Sequence, residues 1–299
     1  MRIFIIIVAY NFEPWIDRCL GSLRESLISV YPVVVDNCSS DNTVQIIEKN
    51  YPEVHLIKSS SNRGFGLGNN SGMAYAVSRN ADYIFLLNQD AWIGKNTIER
   101  LLLAFEDHPD FSLLSPIHLD STARYLDRGF SSYANLPMEV KVGQFDAYAG
   151  EVTQIDFINA AFWMFSINTL KTIGGFSPLF FYCGEDVDWI NRLKYHQCKL
   201  GYVDSAYGCH DRENRRSTHD SSAAYHLSEY LNLNYSFGKA FMMAILAVVK
   251  KCFVSLLNGN FSKVAFYIKT LWNITIKTFA VLRERRRVKK RGMHYINGV

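Results

Sequence analysis

Five short stretches of this 299-residue sequence carry side chains that can hold a cation, accept a proton or cradle a phosphate. Asn88-Gln89-Asp90 ends in a carboxylate. A divalent cation on a phosphate-bearing ligand needs hard oxygen donors, which makes Asp90 a candidate. An Asp after a strand is more often a turn or cap residue, and Asp36, which ends the second strand, invites the same caution. Glu185, Asp186 and Asp188 crowd three carboxylates into four residues. Helix N-termini favour negative charge, so capping accounts for part of this. Repulsion between adjacent Glu185 and Asp186, with partial burial, would raise one pKa and yield a general base. His210 is either a third metal ligand or a satisfied core histidine. Gly64-Phe65-Gly66-Leu67-Gly68 has glycine spacing close to a dinucleotide-binding loop, but it follows the third strand and Asn69 replaces the last glycine. A tight turn whose glycines let a helix approach a sheet is the preferred reading.

The elements around these residues explain why they would converge. Residues 2–9 are β-branched and apolar, as a strand covered on both faces should be. Pro14 opens a helix to Leu27, with Ile16, Leu20, Leu23 and Leu27 on one stripe. Strands are expected at 33–36, 54–58, 83–87 and 111–115, and helices at 43–49, from the glycine loop to Ala76, and at 97–105. Alternating strands and helices imply a Rossmann-like, mostly parallel α/β sheet with right-handed crossovers. Ligands of such sheets bind beyond the carboxyl ends of the strands. Ala9-Tyr10-Asn11, Asp36-Asn37, the 62–70 loop and Asn88-Gln89-Asp90 all lie there.

Residues 116–150 lack periodicity and read as an irregular, acceptor-side stretch. An apolar block at 155–167 and a turn at Gly174-Gly175-Phe176 lead to the acidic cluster, which opens a helix to Tyr195. The last 65 residues differ. The apolar run Ala240–Val249 is ten residues long, too short to span a bilayer. Phe261–Leu282 reads as one amphipathic helix, with Phe261, Ile268, Trp272 and Phe279 on the apolar face. The basic run 283–291 follows. A catalytic domain over 1–234 is expected (nucleotide half 1–115, acceptor half 116–234), with a helical tail over 235–299.

Charge sharpens that division. Residues 235–299 hold thirteen Lys/Arg and one acid, Glu284, hence +12; the whole chain is +4, so the remainder is 4 − 12 = −8. A basic tail on an acidic body calls for an anionic partner. Its basic residues are interleaved with interfacial helices, which favours a membrane surface over nucleic acid; no nucleic-acid partner is expected. Packing on the catalytic domain or in a homodimer is the alternative. The 48% hydrophobic content suits a globular core rather than a disordered or multi-span chain. Six cysteines without CxxC spacing point to reduced thiols. The N-terminal apolar run lacks a small-residue cleavage site and reads as a strand, not a signal peptide.

The order of the motifs says more than any one of them. Val8-Ala9-Tyr10-Asn11, Val35-Asp36-Asn37-Cys38-Ser39-Ser40-Asp41, Asn62-Arg63-Gly64-Phe65-Gly66, Leu86-Leu87-Asn88-Gln89-Asp90, Gly174-Gly175-Phe176, Glu185-Asp186-Val187-Asp188 and His210 occur in series. The series resembles glycosyltransferase family 2, with its GT-A fold, in the branch that builds bacterial surface polysaccharides and includes rhamnosyltransferases. The resemblance covers roughly residues 1–220. It implies that Ala9, Tyr10, Asn11 and Glu13 line the nucleotide pocket, that Asp36 and Asn37 bind base or ribose, and that Arg63 and Gly64 border the nucleotide. Asn88-Gln89-Asp90 matches the DxD-type motif, whose last Asp holds manganese or magnesium on the diphosphate. Asp186 matches the base of the acidic pair, supported by Glu185 and Asp188, and His210 matches a histidine that completes metal binding. Two positions depart from the pattern: Asn88 replaces the first Asp, and Asn37 stands where many members carry Asp.

The implied reaction is an inverting single displacement. Asp186 deprotonates an acceptor hydroxyl, which attacks the anomeric carbon of a UDP- or dTDP-sugar, while the metal offsets charge on the departing diphosphate. The acceptor would be a saccharide or lipid-linked saccharide, and the location the cytoplasmic face of the bacterial inner membrane, peripherally bound. Two rivals remain: a dinucleotide-dependent oxidoreductase resting on the glycine loop, and a non-catalytic membrane scaffold of the same fold.

Overall fold

The structure, a computed structural model, describes residues 1–139, 151–212 and 222–296. Its centre is a nine-stranded sheet in the order β3-β2-β1-β4-β8-β6-β9-β5, with β7 also paired to β9. The first four strands are β1 (Ile3–Ala9), β2 (Tyr31–Asp36), β3 (His55–Lys58) and β4 (Tyr83–Leu87), all parallel. The second half is mixed: β8 (Phe162–Ser166) runs antiparallel to β4 and β6 (Phe111–Leu119). Strand β9 (Lys199–His210) runs parallel to β6 and antiparallel to β5 (Ala91–Ile93) and β7 (Val152–Gln154). The sheet is thus wholly parallel through β1–β4 and mixed beyond them, where β6 and β9 form the one further parallel pair.

Alternation along β1 explains its unbroken apolar run. Ile3, Ile5 and Ile7 enter one core layer, under α1 (Ile16–Arg24), α2 (Thr43–Asn50) and α4 (Thr97–Asp107). Phe4 and Ile6 enter the other, under α3 (Gly64–Ser78), α6 (Ile167–Ile173) and α7 (Glu185–Tyr195). Helix α1 is shorter than its stripe suggests. Glu13–Trp15 forms a 3-10 turn, and Leu27 lies beyond the helix, exposed, with its N–H on the Lys95 carbonyl. Within the stretch read as irregular, β6 continues to Leu119 and α5 (Arg128–Ala134) forms behind an Asp127 cap; residues 140–150 lie outside the described part.

The glycine-rich segment is helix, not loop. Helix α3 starts at Gly64, whose φ of 79° favours glycine. A Cβ at Gly68 would lie 2.7 Å from Val8 Cγ1, and one at Gly72 would collide with Ile6. These glycines therefore let α3 lie close on β1 and β2. Gly72→Val should cost about 1–3 kcal/mol through overpacking. Gly21→Ala in α1, where a Cβ meets nothing within 4 Å, should be neutral or gain up to about 1 kcal/mol. Urea midpoints compare the two directly; equal midpoints would remove the close-packing account of the glycines.

The C-terminal residues form α8 (Ser222–Leu231), α9 (Phe237–Leu257), α10 (Phe261–Ile276) and α11 (Thr278–Val288). Helix α9 has 21 residues and is long and apolar enough to cross a membrane, where the sequence suggested a ten-residue run. Lys239, Lys250 and Lys251 are carried inside it rather than ending it. The single helix expected over 261–282 breaks at Lys277. Helix α10 turns Tyr267, Thr270 and Ile274 inward and leaves Phe261, Ile268 and Trp272 of the predicted stripe exposed, as is Phe279 at the start of α11. A third apolar cluster joins Tyr230, Leu231, Ala244, Val248, Tyr267, Ile274 and Val281 to Phe180 of the catalytic half. Arg285, 4% exposed, donates to the carbonyls of Tyr230, Asn232 and Tyr235. The end of the tail is thus built into the body of the protein.

Candidate active site

The strand ends converge on one crevice. Ala9 is fully buried where β1 stops, and Asn37 N–H donates to its carbonyl at 2.7 Å. Tyr10, 47% exposed, is tied to the Asn88–Asp90 loop: its N–H donates to Gln89 Oε1 at 2.7 Å, and Gln89 Nε2 donates back to the Tyr10 carbonyl at 3.2 Å. Asn11 takes a left-handed conformation, φ 54°, which aims its Oδ1 at the Ser40 N–H, 2.9 Å away. Glu13 accepts from Asn42 N–H and Nδ2, so its carboxylate organises the loop after β2.

Asp36 and Asn37 are 3% and 2% exposed. The Asp36 carboxylate receives the Ser39 N–H. Asn37 Nδ2 donates to the Gly64 carbonyl at 3.0 Å, joining β2 to the start of α3, while Asn37 Oδ1 is buried with no hydrogen-bond partner among the described residues. Arg63 is exposed beside Gly64, within reach of Ser71 Oγ. A Cβ at Gly64 would run into the Phe181 carbonyl, so the loop before the acidic cluster packs directly on this corner.

On the other side, β5 pairs Ala91 with His210 of β9, which brings the preceding Asp90 onto the histidine. His210 Nε2 lies 3.1 Å from Asp90 Oδ1 and 3.3 Å from Asn88 Nδ2. Its Nδ1 accepts from Arg212 Nε at 3.2 Å, so Nε2 carries the ring hydrogen and donates to Asp90. Arg212 also pairs with Asp127 at 3.0 Å. Behind His210 sits Phe162, and behind that the buried His118, hydrogen-bonded to Ser115 Oγ at 2.9 Å. Burial, and after it the neighbours His210 and Arg212, holds His118 well below the usual histidine range, so it is a neutral wall.

The acid pair divides between the two sides. Gly184, φ 84°, turns the chain into α7. Glu185, buried, comes within 3.8 Å of where a Gly66 Cβ would stand, on the α3 side. Asp186 is half-buried, with Oδ1 accepting the Val187 N–H at 2.8 Å. Burial raises its pKa above the usual aspartate range, opposed by local backbone N–H groups and by Arg212. Tyr133 faces it electrostatically, and burial, then the Asp127 charge, pushes that phenol far up, so Tyr133 is a neutral hydroxyl within electrostatic reach of Asp186. Asp188 points elsewhere: it is 3% exposed and paired with Arg192 at 3.0 Å, supporting α7 from inside the core.

Among the described residues no group of three His, Cys, Asp or Glu converges as a complete cation site. Asp90 and His210 still fit a cation carried by a diphosphate, because such ions take few protein ligands and fill the rest with phosphate and water oxygens. Asp90 fits directly. His210 would have to free Nε2, which means losing the Arg212 contact at Nδ1.

Arg212, Asp127 and Tyr133 went unnoticed in the sequence. Asp127 was findable as a helix cap before Arg128-Gly129; nothing local marks Arg212 or Tyr133.

A parallel first half of the sheet, a mixed second half, a carboxylate–histidine pair where β5 meets β9 and a half-buried acid at the start of α7 fit a GT-A-type sugar transferase. The sequence matches the family described as glycosyl transferase family 2 over residues 4–173, and the chain belongs to that family. It is 27% identical to the N-acetylglucosaminyl-diphospho-decaprenol L-rhamnosyltransferase of Mycobacterium tuberculosis, across 77% of this chain and 83% of that protein. It is 26% identical to the low-salt glycan biosynthesis hexosyltransferase Agl10 of Haloferax volcanii, across 79% and 76%. Its fold is similar to that of S. aureus TarS residues 1–349, solved in complex with UDP-GlcNAc: TM-score 0.58, 16% identity, 97% of this chain and 90% of that one.

Proposed function

We propose that this chain transfers a sugar, of the hexosyl or rhamnosyl type, from a UDP- or dTDP-sugar to a hydroxyl of a saccharide or lipid-linked saccharide in surface polysaccharide synthesis. The observation that carries this is Arg212, which donates to His210 Nδ1 beside Asp90 and also bears electrostatically on half-buried Asp186, so the acid and the Asp90–His210 pair share one neighbour. The orphaned Asn37 Oδ1 supports a nucleotide beside it, since a buried acceptor without a donor is costly. A divalent cation, manganese or magnesium, held by Asp90 and His210, would supply charge neutralisation on the leaving diphosphate. Asp186 takes the proton of the acceptor hydroxyl, which attacks the anomeric carbon from the face opposite the leaving group, so configuration inverts. Tyr133 and Arg212 orient the acceptor side. The glycines of α3 are occupied in helix–sheet packing, which removes the main support for a dinucleotide-dependent oxidoreductase. The test is nucleoside diphosphate release from a panel of UDP-, dTDP- and GDP-sugars with lipid-linked saccharide acceptors. No release from any donor, with nicotinamide nucleotide bound instead, would reverse the reading.

The same proposal places the enzyme peripherally on the cytoplasmic face of a bacterial inner membrane. Fourteen of the twenty-two large apolar side chains exposed among the described residues lie between Met242 and Phe279, Trp272 at 68% and Phe279 at 84%. Residues 237–283 contain six lysines and no acid before Arg283. A second copy would set lysine against lysine with no carboxylate to answer it, whereas anionic headgroups complement the face, each lysine near the surface contributing about 1 kcal/mol. The hairpin of α9 and α10 would lie at the acyl boundary through its apolar side chains. Cutting the chain near Ser236 is a poor test, because it strips the cover from Tyr230 and Leu231 and removes Arg285. Flotation with phosphatidylglycerol vesicles should instead compare the full chain with Trp272→Glu/Phe279→Glu. The full chain should float, less so at high salt, and the double variant should remain at the bottom; equal flotation would sink the membrane assignment.

A further inference from the structure

We propose that residues 284–296 form a strap that positions the acid-bearing helix α7, so that turnover depends on a segment remote from the nucleotide and metal residues. The strap returns from the α9–α10 hairpin to the core. Val288 accepts from His196 Nε2 at 3.1 Å, at the far end of α7. Glu284, the one acid of the tail, is 7% exposed in α11. Beyond it the chain crosses the Gly174-Gly175 turn. Gly292 N–H reaches the Thr172 carbonyl, and Gly175 N–H donates to the His294 carbonyl at 2.8 Å. A Cβ on Gly174 would lie 2.8 Å from His294 backbone atoms, and one on Gly175 would lie 2.7 Å from Ile296 Cδ1. Gly174 is therefore required by the strap, and Gly175 by the strap together with Asn70 Oδ1, which a Cβ there would meet first.

That turn is where α7 is anchored. Arg192, 1% exposed, pairs with Asp188 and donates to the carbonyls of Ile173 at 2.6 Å and Gly175 at 2.8 Å. Trp189 Nε1 donates to the Gly174 carbonyl at 2.9 Å. Tyr295 lies against this anchor, its ring centroid 5.9 Å from the Arg192 guanidinium and 4.9 Å from that of Arg287. One residue past the turn, Phe176 exchanges two hydrogen bonds with the Asn70 side chain on α3, at 2.7 and 2.8 Å. The strap, the turn, α7 and α3 thus form one packed unit, and Glu185 and Asp186 sit on its first helical turn. A general base must be held within a few tenths of an ångström of productive geometry, so loosening the far side of this unit degrades proton transfer before it degrades nucleotide binding. Tyr295 and Arg192 are positioning residues in this scheme.

The test uses the full chain with Tyr295→Ala, Ile296→Ala and Tyr295→Phe. Hydrogen–deuterium exchange over 174–190 should quicken in both alanine variants and match wild type in Tyr295→Phe, because the phenol oxygen is buried without a hydrogen-bond partner and only the ring is needed. With a donor that turns over, kcat should fall about tenfold in the alanine variants, with donor KM and melting temperature unchanged and Phe restoring the rate. Unchanged exchange over 174–190 would overturn the proposal, whether or not a donor has been found. So would a uniform rise in exchange across the chain with a lowered melting temperature, which is what a merely structural strap would give.

Discussion

Asp186→Asn cuts turnover by a factor on the order of 10² or more while donor affinity stays nearly unchanged. The amide keeps the shape and still accepts the Val187 N–H, but it cannot take a proton. The donor side, built from β1, β2, α3 and the Asn88–Asp90 loop, does not use this side chain. Glu185→Gln is the informative companion: Glu185 faces α3, so its loss should weaken the donor corner more than the proton transfer. Were Glu185→Gln the more damaging change in kcat, the base would be Glu185.

Acidity gives the same residue a second signature. Burial raises the Asp186 pKa, so the ionised form needed for catalysis appears at higher pH than for an ordinary aspartate. The acidic limb of kcat/KM should sit above the usual value of about 4, and Asp186→Asn should abolish the limb. Stability follows with opposite sign. A carboxyl whose folded pKa exceeds its unfolded one stabilises the fold at pH below the unfolded value and loses that contribution as pH rises through the folded value. Wild type therefore carries a cost at neutral pH that the asparagine variant lacks. The variant should melt slightly higher at pH 7 than wild type and at the same temperature near pH 3. A variant less stable at pH 7 would mean that the charge is structurally compensated.

The nucleotide half was legible because its signals are local. An unbroken β-branched run can only be a strand covered on both faces, and β1 is that strand. Asp36 and Asp90 were found because parallel strands must end together. The acceptor half resisted for the opposite reason. Strand β9 carries glycine at 201 and 208, with Asp204 between them, so no period shows; its pairing partners β5, β6 and β7 are spread over more than sixty positions. His210 was recognised through the motif series, while what brings it to Asp90 is the Ala91–His210 register, which no local pattern encodes. Arg212 sits two residues beyond and was invisible for the same reason. In the tail, the apolar stripe of α10 was read correctly as a face, but burial went to the other side, Tyr267, Thr270 and Ile274. Composition tells which face is apolar; it does not tell which face the rest of the chain will cover.

Asp90→Ala is expected to abolish both transfer and metal-dependent donor binding with the fold intact. The fold should survive because main-chain bonds hold the backbone here: Asp211 N–H donates to the Asp90 carbonyl at 2.8 Å, and the β5–β9 ladder begins at the next residue. The chemistry should not survive, because Asn88 offers no negative oxygen and the Asp90 carboxylate is the group that meets His210 Nε2. Asp90→Asn separates the two jobs of the side chain. The amide oxygen can still accept from His210 Nε2, so the histidine stays in place, but the charge that attracts a divalent cation is gone. His210→Ala should be milder, since in the cation-free protein that ring is already committed to Asp90 and Arg212 and must give up one contact to bind. Manganese titration followed by electron paramagnetic resonance, with and without nucleoside diphosphate, orders the three variants: Asp90→Ala and Asp90→Asn without binding, His210→Ala weakened. Full activity of Asp90→Ala, or of wild type in excess chelator, would mean that the leaving diphosphate is stabilised by side chains alone, with Arg212, which reaches His210, a cation placed to take that role.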